Sequence, residues 1–268
     1  MANVRLVQTE ERLATKQKYK VLFLGYNEAK TLLIHFLLKS NCKVWHTEQL
    51  IHDVSEYDLV ISFGYRHILS PKVLATAKRP IINLHIGYLP YNRGTHPNFW
   101  AFYDGTPSGV TIHFLDEDID TGDILFQRYV NFDNGEVTFE DTYARLVCEV
   151  ETLFKENLNA ILNNELMPFK QRGNGTYHNA EDLPTQFSGW TSNIAEEIAR
   201  LDQSDAAISN EKLLLIDEIE TVRRSNNVNW MDLLRLAFAK APNEAKKIIR
   251  RINSDDNKIS ELFKKLGE

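Results

Sequence analysis

The stretch YKVLFLGYNEAKTLLIHFLL, Tyr19–Leu38, decides the fold class. Its first seven residues form a short apolar run ending at Gly25, the pattern of a buried strand. In NEAKTLLIHFLL, which follows Tyr26, Leu32, Leu33, Phe36 and Leu37 recur at helical spacing, so a helix comes next. The alternation then continues. CKVWHT (Cys42–Thr47) and DLVISFG (Asp58–Gly64) read as strands, PKVLATAK as a short helix opened by Pro71, and RPIINLH (Arg79–His85) as the next strand. Strands alternating with crossover helices predict an α/β sheet.

Working outward, GVTIHFLD (Gly109–Asp116) and DILFQRYV (Asp123–Val130) are β-rich runs joined by the acidic turn EDIDTG, a hairpin or two neighbouring strands. The run FEDTYARLVCEVETLFKENLNAILN after Thr138 puts Tyr143, Leu146, Val147, Val150, Leu153 and Phe154 on one helical stripe, which closes a core domain over 19–165. Residues 1–18 show no sustained period and read as a lead-in. The Gly- and Asn-rich text after Glu165 predicts a loop or hairpin-like extension over 166–208. Residues 209–268 read as a helical appendage, with Asn229 and Ser254 as N-caps, Pro242 in a first turn and Gly267 as a stop. Its Leu233, Leu234, Leu236, Phe238 and Ile248 have the spacing of buried positions.

Composition limits the function classes. With 268 residues, 43% hydrophobic and 25% charged, the chain resembles an ordinary soluble globular protein. A net charge of −6 supplies no general field for polyanions, so no nucleic acid partner is expected. No window approaches the roughly 18 apolar residues of a membrane span, and the N-terminus lacks a basic segment followed by an apolar run, so no membrane partner and a cytoplasmic location are expected. Cys42 and Cys148 form no CxxC and are expected to be buried small apolar residues. None of the eight histidines stands in HExxH or in a His/Cys cluster, so no metal is expected. Gly25 alone follows the first strand where a dinucleotide fingerprint needs three glycines, and neither a phosphate loop nor a GxSxG elbow occurs.

Chemistry concentrates in INLHIGYLPYNRGTHPNFW, Ile82–Trp100. Asn83 and His85 share strand parity, so both side chains leave one face near the C-terminal end of the strand, where open α/β sheets place their crevices. Asp120, in the turn after GVTIHFLD, is within reach of the same crevice. Amide, imidazole and carboxylate together suit acyl transfer: the amide N–H stabilises an oxyanion, the imidazole handles a proton, and the carboxylate orients the imidazole. No serine or cysteine stands beside them as nucleophile, so the attacking group belongs to the substrate. The competing reading is that Asn83 and His85 cap a strand end and that DTG is an ordinary acidic turn. His113, in parity with Thr111, faces either the crevice or the core. Phe99, Trp100 and Phe102 read as core.

NLHIGYLPYNRGTHP followed by GVTIHFLDEDIDTGDIL resembles the formyltransferases that use 10-formyltetrahydrofolate, over about Tyr19 to Asn164. The family's Asn-x-His matches Asn83 and His85, and its aspartate matches Asp120. The resemblance implies a Rossmann-like core with a mostly parallel sheet, catalysis by these three residues, and 10-formyltetrahydrofolate as cosubstrate. The segments matching the pterin pocket contain Phe63, Gly64, Tyr65, Arg66, His67, Ile68, Leu69, Leu115, Asp116 and Asp118. The wider text looks most like bacterial enzymes that formylate a nucleotide-linked amino sugar, dTDP-4-amino-4,6-dideoxyglucose by preference, for O-antigen or other surface polysaccharide. The 3-amino isomer, a methionyl-tRNA formyltransferase and a formyltetrahydrofolate hydrolase are the alternatives. The tRNA enzymes are expected to carry a C-terminal β-barrel, from which the helical tail departs. The resemblance also implies a homodimer, with the extension as a possible interface, and sugar-side roles for Arg93, His96, Tyr177 and Trp190. For Arg93 a structural anchor beside Asn83 is the other reading.

Overall fold

The computed structural model describes residues 3–7, 18–132, 137–204, 214–215, 218 and 232–253. It divides into two units, Met1–Leu201 and Asp202–Glu268.

The first unit is built on strands β1 (Arg5–Leu6), β2 (Tyr19–Gly25), β3 (Cys42–Thr47), β4 (Leu59–Phe63), β5 (Ile82–His85), β6 (Arg93–Gly94), β7 (Gly109–Phe114), β8 (Ile124–Tyr129) and β9 (Tyr177–His178). The main sheet has the order β1-β3-β2-β4-β5-β7-β8. Its centre is parallel, β3, β2, β4 and β5 in succession, as the crossover helices require. Antiparallel strands complete it: β1 on one edge, and β7 and β8 beyond β5. The expected β7–β8 pair therefore forms, with a register shift between Ile112 and His113.

Helices α1 (Leu33–Lys39), α2 (Pro71–Leu74), α3 (Pro97–Tyr103) and α4 (Phe139–Asn163) connect and cover the sheet. The first helix starts later than its pattern suggests. Its buried face is Leu33, Ile34, Leu37 and Leu38, whereas Leu32 is exposed: residues 28–30 turn and the stripe is rotated by one position. Helix α4 opens with a capping box, Thr138 accepting from the Asp141 N–H and Asp141 accepting from the Thr138 N–H. Its Leu146, Val150, Leu153 and Phe154 join the core against β2, β4, β5 and β7, Val147 packs on that core, and Tyr143 stays exposed. Cys42 is buried and its thiol pKa is pushed up to about 12 by that burial. Cys148, expected inside, is exposed on the solvent face of α4. A smaller cluster of Phe99, Trp100, Phe139 and Leu201, with Phe102 against it, confirms those aromatics as core.

The lead-in supplies β1, which adds to the sheet edge. The segment after α4 is not a hairpin. It returns to the core, with Phe169 bridging Ile124 and β9 pairing in parallel with β6. The reason is local: the main-chain N–H groups of Arg93 and Thr95 in and beside β6 need acceptors, and the carbonyls of Thr176 and His178 supply them.

In the second unit, 232–240 and 242–253 are helical. Leu233, Leu236, Phe238 and Ile248, expected to be buried, are exposed, and Ala245 is the buried residue among those described there. Two short helices meeting at Ala241 offer little surface for a core. The caps assigned to Asn229, Ser254 and Gly267 lie outside the described residues.

Candidate active site

Strand β5 lies where the parallel half of the sheet meets the antiparallel half, and an open cleft of about 1060 Å³ lies beyond its C-terminal end. Asn83, His85 and Asp120 all line it. Asp120 sits in the left-handed region, φ 53°, in the loop between β7 and β8. That loop packs tightly: a Cβ on Gly122 would stand 1.9 Å from the Phe114 carbonyl oxygen.

His85 is buried. Its Nε2 donates to the Asn92 carbonyl at 2.9 Å, and its Nδ1 faces Asp120 Oδ2 at 3.5 Å. Burial lowers its pKa below the ordinary histidine value of 6.5; Asp120 and the Asn92 carbonyl pull upward without reversing this, and His113 adds to the lowering. The imidazole is thus neutral near pH 7, with the proton on Nε2 and the lone pair on Nδ1. An NMR titration should find its midpoint below 6.5, with Nε2 protonated at neutral pH. A midpoint above 6.5 would contradict the geometry.

Burial pushes the Asp120 carboxyl up, but the facing His85, the His113 imidazole and the Gly94 N–H more than offset it, so the carboxyl stays below the usual carboxylate range. The Gly94 N–H donates to Oδ2 at 2.9 Å. Asn83 Nδ2 donates to His113 Nε2 at 3.1 Å and to Asp120 Oδ1 at 3.3 Å. His113 stands directly across the antiparallel register from Asn83 and is fully buried, with Nδ1 donating to the Phe114 carbonyl at 2.8 Å. It belongs to the site as an internal support. Its parity with Thr111 was the available signal, and the register decides which way it faces.

Phe63, Gly64, Tyr65, Arg66, His67, Ile68 and Leu69 line the cleft, together with Leu115, Asp116 and Asp118. Gly64 adopts φ 64° there, and the Tyr26 ring covers the place a Cβ would take. His96, Tyr177 and Trp190 also line the cleft, the His96 and Trp190 rings 5.1 Å apart. Arg93 does not line it. Its Nε and Nη2 donate to Gln171 Oε1 at 3.2 and 2.7 Å, so the anchoring reading of this arginine is the one the structure supports. Gln171 and Thr176, absent from the sequence expectations, hold the loops that carry Asp120 and Asn92.

Among known proteins, a dTDP-4-amino-4,6-dideoxyglucose formyltransferase of Mycobacterium tuberculosis is 36% identical over 114 residues, 42% of this chain and 47% of the relative. A methionyl-tRNA formyltransferase of Clostridium novyi is 31% identical over 141 residues, 52% of this chain and 45% of the relative. The chain spans about half the length of the curated relatives it matches. Among solved structures, the formyltransferase PseJ from Anoxybacillus kamchatkensis was determined in complex with UDP-4,6-dideoxy-4-formamido-L-AltNAc and tetrahydrofolate. It is 34% identical, with a TM-score of 0.61, over 66% of this chain and 96% of that one. The sequence pattern of the formyl transferase family matches residues 15–157, more than half of the chain, and the chain belongs to that family.

Proposed function

We propose that the protein is a sugar N-formyltransferase, moving a formyl group from 10-formyltetrahydrofolate to the amine of a nucleotide-linked amino sugar. The observation that carries this is the grouping of Asn83, His85 and Asp120 in one cleft, with Nε2 of His85 spent on a carbonyl and Nδ1 left as a base. Neither His85 nitrogen is hydrogen-bonded to a serine or cysteine, which suits a nucleophile supplied by the substrate. The Phe63–Leu69 segment brings apolar and polar side chains to the cleft together, with Phe63, Ile68 and Leu69 beside Arg66 and His67, which suits a flat pterin rich in donors and acceptors. The His96 and Trp190 rings and Tyr177 are assigned to the sugar nucleotide.

In the reaction, the sugar amine attacks the formyl carbon. His85 Nδ1 takes a proton from the attacking nitrogen, and Asp120 and the Asn92 carbonyl stabilise the resulting imidazolium. Asn83 exchanges its longer contact, the 3.3 Å bond to Asp120, for the developing oxyanion. His85 then returns the proton to the departing carrier nitrogen. One N–C bond has formed, one has broken, and the imidazole is again neutral.

The preferred acceptor is dTDP-4-amino-4,6-dideoxyglucose, the sugar nucleotide named for the Mycobacterium tuberculosis relative. A UDP-linked 4-amino sugar is the second reading, favoured by the formamido group at carbon 4 in the PseJ complex. The test is tetrahydrofolate release from 10-formyltetrahydrofolate with dTDP-, UDP- and GDP-linked 3-amino and 4-amino sugars, methionyl-tRNA and an amine-free control. Turnover with a 4-amino sugar is expected. Turnover with the tRNA alone, or equally in the control, would replace the proposal with a tRNA formyltransferase or a hydrolase.

A further inference from the structure

His85 has two polar neighbours, and both are held from the same distant segment. Asn92, whose carbonyl takes the Nε2 proton, and Asp120, which faces Nδ1, occupy the left-handed region at φ 58° and 53°. Asparagine and aspartate tolerate this region better than other side-chain-bearing residues, and here hydrogen bonds hold each of them in it.

Thr106 holds the Asn92 side chain, its Oγ1 accepting from Nδ2 at 2.8 Å, and the main chain of Asn92 is held by Thr176. Thr176 Oγ1 accepts from the Asn92 N–H at 2.7 Å and donates to Asn92 Oδ1 at 3.1 Å, while its carbonyl accepts from the Arg93 N–H at 3.0 Å. Gln171 holds the main chain of Asp120. Its Nε2 donates to the carbonyls of Asp120 at 2.8 Å and Gly122 at 2.9 Å, and Arg93 holds its Oε1. Neither Gln171 nor Thr176 is among the residues lining the cleft, and both lie beyond the residues that the family pattern matches.

We propose that Gln171 and Thr176 are positioning residues for His85: Thr176 aims the Asn92 carbonyl at Nε2 and so fixes the working tautomer, and Gln171 keeps the Asp120 carboxylate where it stabilises the imidazolium formed when Nδ1 takes a proton. A carbonyl aimed at Nε2 requires a proton there and leaves Nδ1 as the base. The catalytic role of that base rests on the formyl-transfer reading above, whereas its tautomer is independent of it.

The test is 15N NMR of the His85 imidazole together with steady-state kinetics on Thr176→Val, Thr176→Ser and Gln171→Ala. Thr176→Val keeps the side-chain shape without the hydroxyl, and should show mixed tautomers. Gln171→Ala should move the His85 midpoint to lower pH, because the carboxylate that favours the imidazolium is released. Both should lose about tenfold to a hundredfold in kcat, with KM for the folate changed less than twofold. Thr176→Ser should restore tautomer and rate. If Gln171→Ala fails to fold, the valine and serine pair decides. Wild-type tautomer, midpoint and kcat in the folded variants would overturn the proposal. A wild-type protein with the expected tautomer but no formyl transfer would sink the functional reading alone.

Discussion

Replacing His85 by alanine is expected to lower kcat by about 10²–10⁴-fold, the range for loss of a general acid–base, or about 3–5 kcal/mol of barrier. The argument is geometric. Nε2 is committed to the Asn92 carbonyl, so Nδ1 is the nitrogen of this ring free to take a proton. Lowering of the pKa by burial also keeps the ring in its basic form across the neutral range. Thermal melting and folate binding should be measured beside the rate, so that lost turnover is separated from lost structure. Turnover within a few-fold of wild type in a folded variant would remove His85 from the mechanism.

Asp120→Asn carries the second largest expectation, a fall in kcat of about 10²-fold or more. An amide keeps the shape but withdraws the charge that faces Nδ1, and it places an N–H where either Gly94 N–H or Asn83 Nδ2 now donates. The sign of the pH effect follows. Asp120 favours the imidazolium, so its loss should move the acid limb of activity, corrected for ionisation of the acceptor amine, further below 6.5. At pH 7 the ring is neutral in both proteins, so the lost rate reports imidazolium stabilisation rather than the fraction of base. Stability gives an independent check. The folded pKa of Asp120 is depressed below 3.8, so the wild type gains stability from it above that value and loses it as pH falls towards the depressed one. The variant should lack that part of the acid dependence. An unchanged rate and an unchanged acid limb would refute the pairing.

Much of this molecule was legible from residue periodicity, because buried strands and amphipathic helices write their periods locally. The runs at Tyr19, Cys42, Asp58 and Gly109 are strands as read, and the stripe through Leu146, Val150 and Phe154 is the buried face of α4. Sheet order was not legible, since pairing joins residues far apart in sequence. His113 shows the limit: its parity was clear, but only the register opposite Asn83 brings it to the site. Arg93 shows another, because nearness to Asn83 along the chain says nothing of direction, and its guanidinium turns to Gln171 instead of the cleft. Gln171 and Thr176 left no local signature, as they act through hydrogen bonds to distant main chain. The tail leucines failed for the opposite reason: helical spacing of apolar residues marks an amphipathic helix without showing that anything covers it.

The parallel pairing of β6 with β9 has a consequence for the order in which the protein matures during synthesis. Asn92 precedes the threonine that fixes it by 84 residues, and Arg93 precedes its glutamine by 78. A nascent chain that has released the whole of α4 already carries the strands of the main sheet with Asn83, His85 and Asp120, yet it lacks the hydrogen bonds from Gln171 and Thr176. On the positioning roles proposed for Gln171 and Thr176, the site is completed only when Thr176 has left the ribosome, so chains truncated between Asn163 and Gln171 are expected to emerge folded at the sheet and inert at the site.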